Sequence, residues 1–308
     1  MEASITLKSL AKKYNNDIIL ADLSLGIESN SNHALIGQNG AGKSTILKIL
    51  IGLIEKDAGV AYINGKDISA RGPETRMVTG YMSQHIDLDT DINVYENLLI
   101  FSQLYGLGSN EAKNIIMKYA DIFSFKEDLS KHPNELSKGT QRVIQFVRAI
   151  VHDPQVLLLD EPTSFMDPVN KTKFWDIIDR MGKSKTLLFT TQDFNEAEKY
   201  ADRISILHNG NIKMDGSLDK LIGTTRGIAK YQIRFTEVPS DEILDKIKQL
   251  PKILKPEIKG NNLEFYSTEK KDFFHVLRIA IDYQINDIDM GFCKLLDLYL
   301  GLIESRLE

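Results

Sequence analysis

Apolar residues along the chain fall into three patterns, and their order separates two regions. Continuous apolar runs of strand length lie at 33–36 (His-Ala-Leu-Ile), 155–159 (Gln-Val-Leu-Leu-Leu), 187–191 and 204–207. They predict buried strands of a parallel sheet. Alternation over 3–30 and 60–68 predicts short strands with one face in water. Helical periodicity marks 44–53, most of 90–150 (with one helix through Val143, Phe146, Val147, Ala149 and Ile150), and Glu196 to Asp202. A turn-rich break at 223–227 (Gly-Thr-Thr-Arg-Gly) changes the rhythm. Beyond it Tyr231, Ile233 and Phe235 alternate as a strand, and Ile243, Leu244, Ile247 and Leu250 repeat as a helix. Leu263 and Phe265 mark another strand, and a helix carries Phe273, Phe274, Val276, Leu277 and Ala280. A strand near 285–288 and a last helix holding Leu295, Leu296, Leu298, Tyr299, Leu302 and Ile303 complete the region. The expectation is an α/β domain over 1–222 and a small α+β domain over 228–308.

Candidate chemistry lies at the ends of two of these runs. The stretch 37–45, Gly-Gln-Asn-Gly-Ala-Gly-Lys-Ser-Thr, joins the strand at 33–36 to the helix at 44–53, the context a phosphate-binding loop requires. Gly40 and Gly42 let the backbone wrap closely, so that successive N–H groups and the positive end of the helix face β- and γ-phosphate oxygens. Lys43 supplies a point charge, and the Ser44 hydroxyl is placed to coordinate Mg2+, which takes oxygen ligands. Gly37, Gln38, Asn39, Ala41 and Thr45 complete the expected nucleotide-binding loop. The run 155–159 ends in Asp160 and Glu161, with Pro162 closing the strand. Successive strand residues point to opposite faces. Asp160 is therefore expected to address the Mg2+ shell and Glu161 an attacking water.

Composition narrows the field. The 308 residues are 42% hydrophobic, ample for a core. A net charge of −5 and a pI of about 5.8 argue against a nucleic-acid-binding surface, which is normally basic. From 224 to 308, thirteen Lys plus Arg stand against fourteen Asp plus Glu, so that region forms no basic arm either. No run approaches the roughly eighteen apolar residues of a membrane span. The opening Met1-Glu-Ala-Ser-Ile-Thr lacks the basic-then-apolar pattern of a secretory signal, so the expectation is a soluble chain that stays inside the cell. Cys293 is the only cysteine, which excludes an intrachain disulfide; it is expected on the apolar face of the last helix.

Further motifs surround the two acids. Ser137 is placed to cap the helix that follows it. Leu136-Ser-Lys-Gly-Thr140 is similar to the signature motif of the ATP-binding-cassette (ABC) ATPases, and Val78-Thr-Gly-Tyr-Met-Ser-Gln84 to their glutamine loop. Ser164-Phe-Met-Asp167 is similar to their D-loop and Thr190-Thr-Gln192 to their switch loop, while Tyr14 sits where their adenine-stacking aromatic sits. Over residues 1 to about 222 the chain resembles that family in motif order and spacing. The resemblance implies a P-loop NTPase core of α/β class: a parallel sheet, an antiparallel flank and a helical subdomain at about 90–150. It implies that Gln84 reaches the Mg2+ and phosphate region, and that Gln192 holds the γ-phosphate or the attacking water. Ser137 and Gly139 would serve the nucleotide of a partner subunit, with Asp167 near the subunit boundary.

Three positions depart from the family's commonest pattern. Position 138 is lysine rather than glycine and position 140 threonine rather than glutamine, so Ser137 and Gly139 alone carry the signature role across. Position 192 is glutamine rather than histidine, a neutral amide that cannot become a cation. The stretch Ile92-Asn-Val-Tyr-Glu-Asn-Leu98, with Phe101 and Leu104-Tyr-Gly-Leu107, looks like the helical subdomain of multidrug and antibiotic exporter ATPases. Residues 228–308 resemble the C-terminal extension of that branch, with Leu296-Asp-Leu-Tyr-Leu300 similar to its final helix. The implied function is an ATP-hydrolysing motor using ATP and Mg2+, with a membrane permease and a second ATPase copy or paralogue as partners. It would be cytoplasmic, held at the inner face of the cell membrane through the permease, with no nucleic-acid partner. The alternative, a soluble non-transport ABC ATPase acting on a nucleic-acid or ribosomal partner, usually has two cassettes or coiled-coil or zinc insertions, and this sequence has none. A small-molecule kinase has no use for the signature motif.

Overall fold

The computed structural model describes residues 3–15, 17–223, 229–250, 253–267 and 270–292, together with 295, 298 and 299. The chain divides into two compact units, Met1–Gly216 and Ser217–Glu308.

In the first unit, β1 (Ala3–Tyr14) and β2 (Asp17–Glu28) form a long antiparallel pair. After β3 (Asn32–Ile36) come α1 (Lys43–Leu50), β4 (Ala58–Ile63), β5 (Lys66–Asp67), α2 (Gly72–Met77) and β6 (Thr79–Met82). The helices α3 (Val94–Leu104), α4 (Ser109–Phe123) and α5 (Lys138–Ile150) fill the expected helical region. They lead to β7 (Val156–Asp160), α6 (Pro168–Met181), β8 (Thr186–Thr191), α7 (Phe194–Tyr200), β9 (Arg203–His208) and β10 (Asn211–Gly216). One sheet has the order β2-β1-β4-β5 and the other β10-β9-β3-β8-β7-β6. The second sheet is parallel from β9 to β6, and β10 returns antiparallel along β9.

Helix α1 is the filling between the sheets. Its Ile46, Leu47, Ile49 and Leu50 form one core cluster with Ile5, Leu7 and Leu23 of the antiparallel flank and with Leu35, Leu158 and Leu188 of the parallel sheet. Burying each such side chain contributes roughly 1.5–3 kcal/mol, so the helix that follows the glycine loop is among the best anchored in the unit. An aromatic chain also runs through this unit: Phe146 packs on Phe174, Phe174 meets Trp175 edge-on, and Trp175 stacks on Tyr200 with ring centres 4.0 Å apart.

His33, the second residue of β3, has no exposure to solvent, its Nε2 2.7 Å from Ser205 Oγ. Burial pulls its pKa down to about 4, against a smaller upward pull from Asp215. Burial does the same to His152. Below the ordinary histidine range the unfolded chain takes up protons that the folded chain refuses, so stability is intact above about pH 6.5 and drains away as the pH falls towards 4. For His33 alone, urea unfolding is expected to show a loss of about 2 kcal/mol between pH 6.5 and pH 5. A flat profile across that interval would contradict this.

The second unit begins with α8 (Leu218–Gly223) and continues through β11 (Ala229–Phe235), α9 (Asp241–Lys248), β12 (Ile253–Lys259), β13 (Asn262–Ser267), α10 (Lys270–Ala280) and β14 (Ile285–Phe292). Its antiparallel sheet has the order β12-β13-β11-β14. Tyr231, Ile233, Phe235, Leu263 and Phe265 pack against Ile243, Ile247, Phe273 and Val276 of the two helices.

Several elements differ from the sequence expectation. The strands expected to be short at 3–30 are twelve residues each. Helix α7 starts at Phe194 because the Asp193 side chain accepts from the N–H groups of Asn195 and Glu196, and it ends two residues before Asp202. Leu250 lies beyond the end of α9. Strand β12 has no counterpart in the sequence reading, since Ile253 is its only buried residue. It is an edge strand whose register shifts between Leu254 and Glu257, at Pro256, a residue that edges tolerate. The expected domain break at 223–227 falls almost wholly on 224–228, outside the described residues, as do Cys293 and most of the last helix; 295, 298 and 299 are helical.

Candidate nucleotide-binding and hydrolysis site

The loop from β3 to α1 is shaped by its glycines. A Cβ on Gly37 would lie 2.3 Å from the Leu207 carbonyl oxygen of β9, so the loop leaves the sheet in contact with the neighbouring strand. Gly42 has φ +109°, and a Cβ there would also press to 2.7 Å of the Leu20 side chain. Helix α1 has no side-chain cap and no acid in its first turn, which leaves its first N–H groups open to an anion. Lys43 is buried, and its ammonium donates to the Gly37 and Gln38 carbonyls at 2.7 and 3.1 Å. Burial lowers its pKa, while the carboxylates of Glu161 and Asp160 pull it back up.

A cleft of about 180 Å3 beside the loop is lined by Tyr14, Ile19, Asn39, Gly40, Gly42, Lys43, Ser44, Thr45, Gln84 and Glu161. Nine of the expected site residues thus meet in one place. Gly37, Gln38 and Ala41 belong to the loop but do not line the cleft. Tyr14 ends β1 and keeps 43% of its surface exposed, with the Lys12 ammonium 5.5 Å from its ring centre.

Strand β7 is buried throughout and delivers both acids. Asp160 accepts a 2.6 Å bond from the Thr190 hydroxyl through Oδ1, while its buried Oδ2 has no partner. Glu161 has φ +46°, turning its side chain out of the strand's course, and its N–H donates to the Thr190 hydroxyl at 2.9 Å. The Gln192 amide donates to Glu161 Oε1. Glu196, buried beneath, accepts from the hydroxyls of Thr163 and Thr191 at 2.6 and 2.7 Å and from the Trp175 indole N–H at 3.2 Å, fixing the switch loop from below.

The signature residues stand elsewhere. Ser137 caps α5, accepting from the Thr140 N–H at 3.1 Å, and is exposed. A Cβ on Gly139 would come within 2.9 Å of the Phe165 carbonyl oxygen, so glycine lets the D-loop pass close by. Lys138, where the family's pattern has glycine, lies 5.5 Å from the Phe165 ring centre, a cation–π contact. Asp167 caps α6; the Asn170 N–H and amide and the Val169 N–H hold its carboxyl below the usual range.

Sequence reasoning passed over Arg142, Gln145 and Arg148. On α5 they are spaced three apart, a polar stripe on a helix otherwise largely buried, and that stripe was the available signal. Arg142 is completely buried, and its guanidinium reaches the carbonyls of Ser83 (2.5 Å), Gln84 (3.2 Å), Asp160 (2.7 Å) and Glu161 (2.7 Å). Gln145 donates to Ser83 Oγ, the His85 carbonyl and Asp87 Oδ1, and Arg148 pairs with Asp87.

Chemically, the cleft offers backbone N–H groups, a lysine and a hydroxyl to a polyphosphate, and a carboxylate to water beside it. That is the arrangement of a phosphate-loop ATPase. Residues 20–164 match the family described as ABC transporter. The chain is 33% identical over 232 residues to the Nod factor export ATP-binding protein I of Burkholderia orbicola, covering 75% of this chain and 76% of the relative. Against the protein of the same name from a Rhizobium species the identity is 30% over 269 residues, 87% of each chain. A solved ATP-binding subunit of an ABC transporter superposes with a TM-score of 0.68 at 29% identity, over 72% of this chain and 92% of that one. The fold is shared with a dimeric ATP-binding cassette solved in a post-hydrolysis state with ADP and Pi (TM-score 0.65, 23% identity, covering 70% and 98%). The chain belongs to the ABC transporter family, as an ATP-binding, ATP-hydrolysing subunit.

Proposed function

We propose that this chain is the motor subunit of an export system: two copies, or one copy and a paralogue, close head to tail around two MgATP and drive a separate membrane permease. The observation that carries the catalytic part is the Gln192–Glu161 hydrogen bond beside the phosphate loop, which pairs a base with the amide that orients it. Tyr14 stacks on the adenine, 37–45 wrap the phosphates, and the Lys43 ammonium exchanges its loop carbonyls for phosphate oxygens. Glu161 polarises the attacking water. Ser44, Gln84 and Asp160 offer Mg2+ the oxygen donors it prefers, and the unpartnered Asp160 Oδ2 is the acceptor such a cation would satisfy. Mg2+ supplies charge neutralisation on the phosphates.

Exposure of Ser137 and Asp167 away from the chain's own cleft supports the head-to-tail arrangement, since these residues then complete the partner's site. Export is the role named for the Burkholderia and Rhizobium relatives. Among the described residues no helix is long and apolar enough to cross a membrane. In this reading the membrane step belongs to a separate permease, with this chain docked on it at the inner face. Leu104, 70% exposed at the end of α3, and Ile100 give the helical subdomain an apolar face for that contact. In the two-domain reading, 1–222 form the motor and 228–308 an accessory domain.

Assembly is testable with the full chain carrying Glu161→Gln, sized in solution with and without MgATP. A dimer that forms only with ATP is expected. A strict monomer, even with the permease co-expressed, overturns the proposal.

A further inference from the structure

Strands β6 and β7 pair in register as far as Met82 and Leu159, and there the ladder stops. The residues that follow, Ser83–Gln84 beyond β6 and Asp160–Glu161 at the end of β7, bring Gln84 and Glu161 to the phosphate cleft. What joins them is one side chain from a third element. Nη1 of Arg142 donates to the Ser83 and Gln84 carbonyls, and Nη2 to those of Asp160 and Glu161. The Gln145 amide oxygen holds Nη1 from the side at 2.8 Å.

A buried guanidinium bonded only to neutral oxygens is an unusual expense for a fold to carry. Burial lowers its pKa to about 10, and Asp160, Asp87 and Glu161 pull upward without touching it. Since all four loop acceptors are backbone carbonyls, the charge fixes where two chain segments lie rather than the state of any acid. The geometry is a rigid fork with one prong on each loop, which a lysine cannot reproduce.

We infer that Arg142 is a positioning residue for hydrolysis, setting the spacing between Glu161 and Gln84 where the sheet no longer does. The inference rests on the proposed placement of those two residues at the γ-phosphate. Arg142 takes the place of no ladder pair; what its loss removes is the set of donors that hold Ser83–Gln84 beside Asp160–Glu161. It also sits on α5, the helix that Ser137 caps, so the hydrolytic spacing of one chain is tied to the helix that addresses a partner's nucleotide.

The test compares Arg142→Lys with the parent for kcat, for the affinity of a fluorescent ATP analogue, and for thermal midpoint. Expected is a fall in kcat of about 10- to 100-fold, the cost of misplacing reacting groups by about an ångström, with analogue affinity within about threefold. A parental kcat overturns the inference. So does a loss of affinity in proportion to kcat, which is what a merely structural role would produce. Should Arg142→Lys fail to fold, Gln145→Leu decides: it keeps the guanidinium but removes its lateral support, and a kcat reduced about threefold or more at unchanged affinity supports the inference, while an unchanged kcat overturns it. Glu161→Gln, assayed alongside, separates the two ideas. If that variant hydrolyses ATP at the parental rate, the placement of Glu161 fails; if it is inactive while Arg142→Lys is fully active, the positioning role alone fails.

Discussion

Glu161→Gln is expected to lower ATP turnover by about 10²- to 10⁴-fold, the usual worth of a positioned general base, while ATP still binds. Glu161 is the carboxylate that lines the phosphate cleft; its neighbour Asp160 is buried and committed to Thr190. Glutamine preserves the side-chain volume and can still meet Gln192, so the loop geometry survives and what is lost is the carboxylate's charge and proton affinity. Single-turnover hydrolysis and equilibrium binding of ATP, measured on the same preparation, separate the two effects. Near-parental turnover would remove Glu161 from the role.

Gln192→Ala should cost about 10²-fold, chiefly in kcat, with little change in nucleotide affinity. The side chain does not line the cleft; it reaches the reaction through its bond to Glu161 Oε1. Alanine leaves that oxygen without its orienting donor, and a carboxylate held only by the long 3.4 Å bond from the Ser164 hydroxyl to Oε2 spends less time aligned on water. Thr191 and Glu196 hold the backbone on either side, so truncation at 192 leaves the switch loop in place. Gln192→His should be tolerated, because a neutral imidazole also offers an N–H. If Gln192→Ala turns over like the parent, 192 is only a loop-end amide and its catalytic assignment is wrong.

The phosphate loop, the two acids and the capping serine were legible in the sequence because each depends on local chemistry: glycines at positive φ, a strand closed by proline, a hydroxyl ahead of a helix. Tyr14 and Gln84 were placed through family resemblance, and both line the cleft. Beyond the polar stripe it opens, the role of Arg142 was not legible, since its partners on the two loops are main-chain carbonyls, which carry no residue identity to pair with. Glu196 escaped for a related reason: a charged residue in an otherwise ordinary helix reads as solvent-facing until the three donors that meet it are brought from 163, 175 and 191. At the other end of the chain, β12 was hidden by its edge position, where one buried isoleucine is too little alternation to see.

The chain contains a single tryptophan, and the fold places it at the back of the switch loop. Trp175 lies flat on Tyr200, meets Phe174 and Phe189 edge-on, and gives its indole N–H to the Glu196 carboxylate that also anchors Thr191. Indole emission is sensitive to that hydrogen bond and to those rings. The protein therefore carries its own optical gauge: any movement of the loop bearing Gln192 that disturbs Glu196 would alter the surroundings of one fluorophore, readable as a change of emission with no label attached.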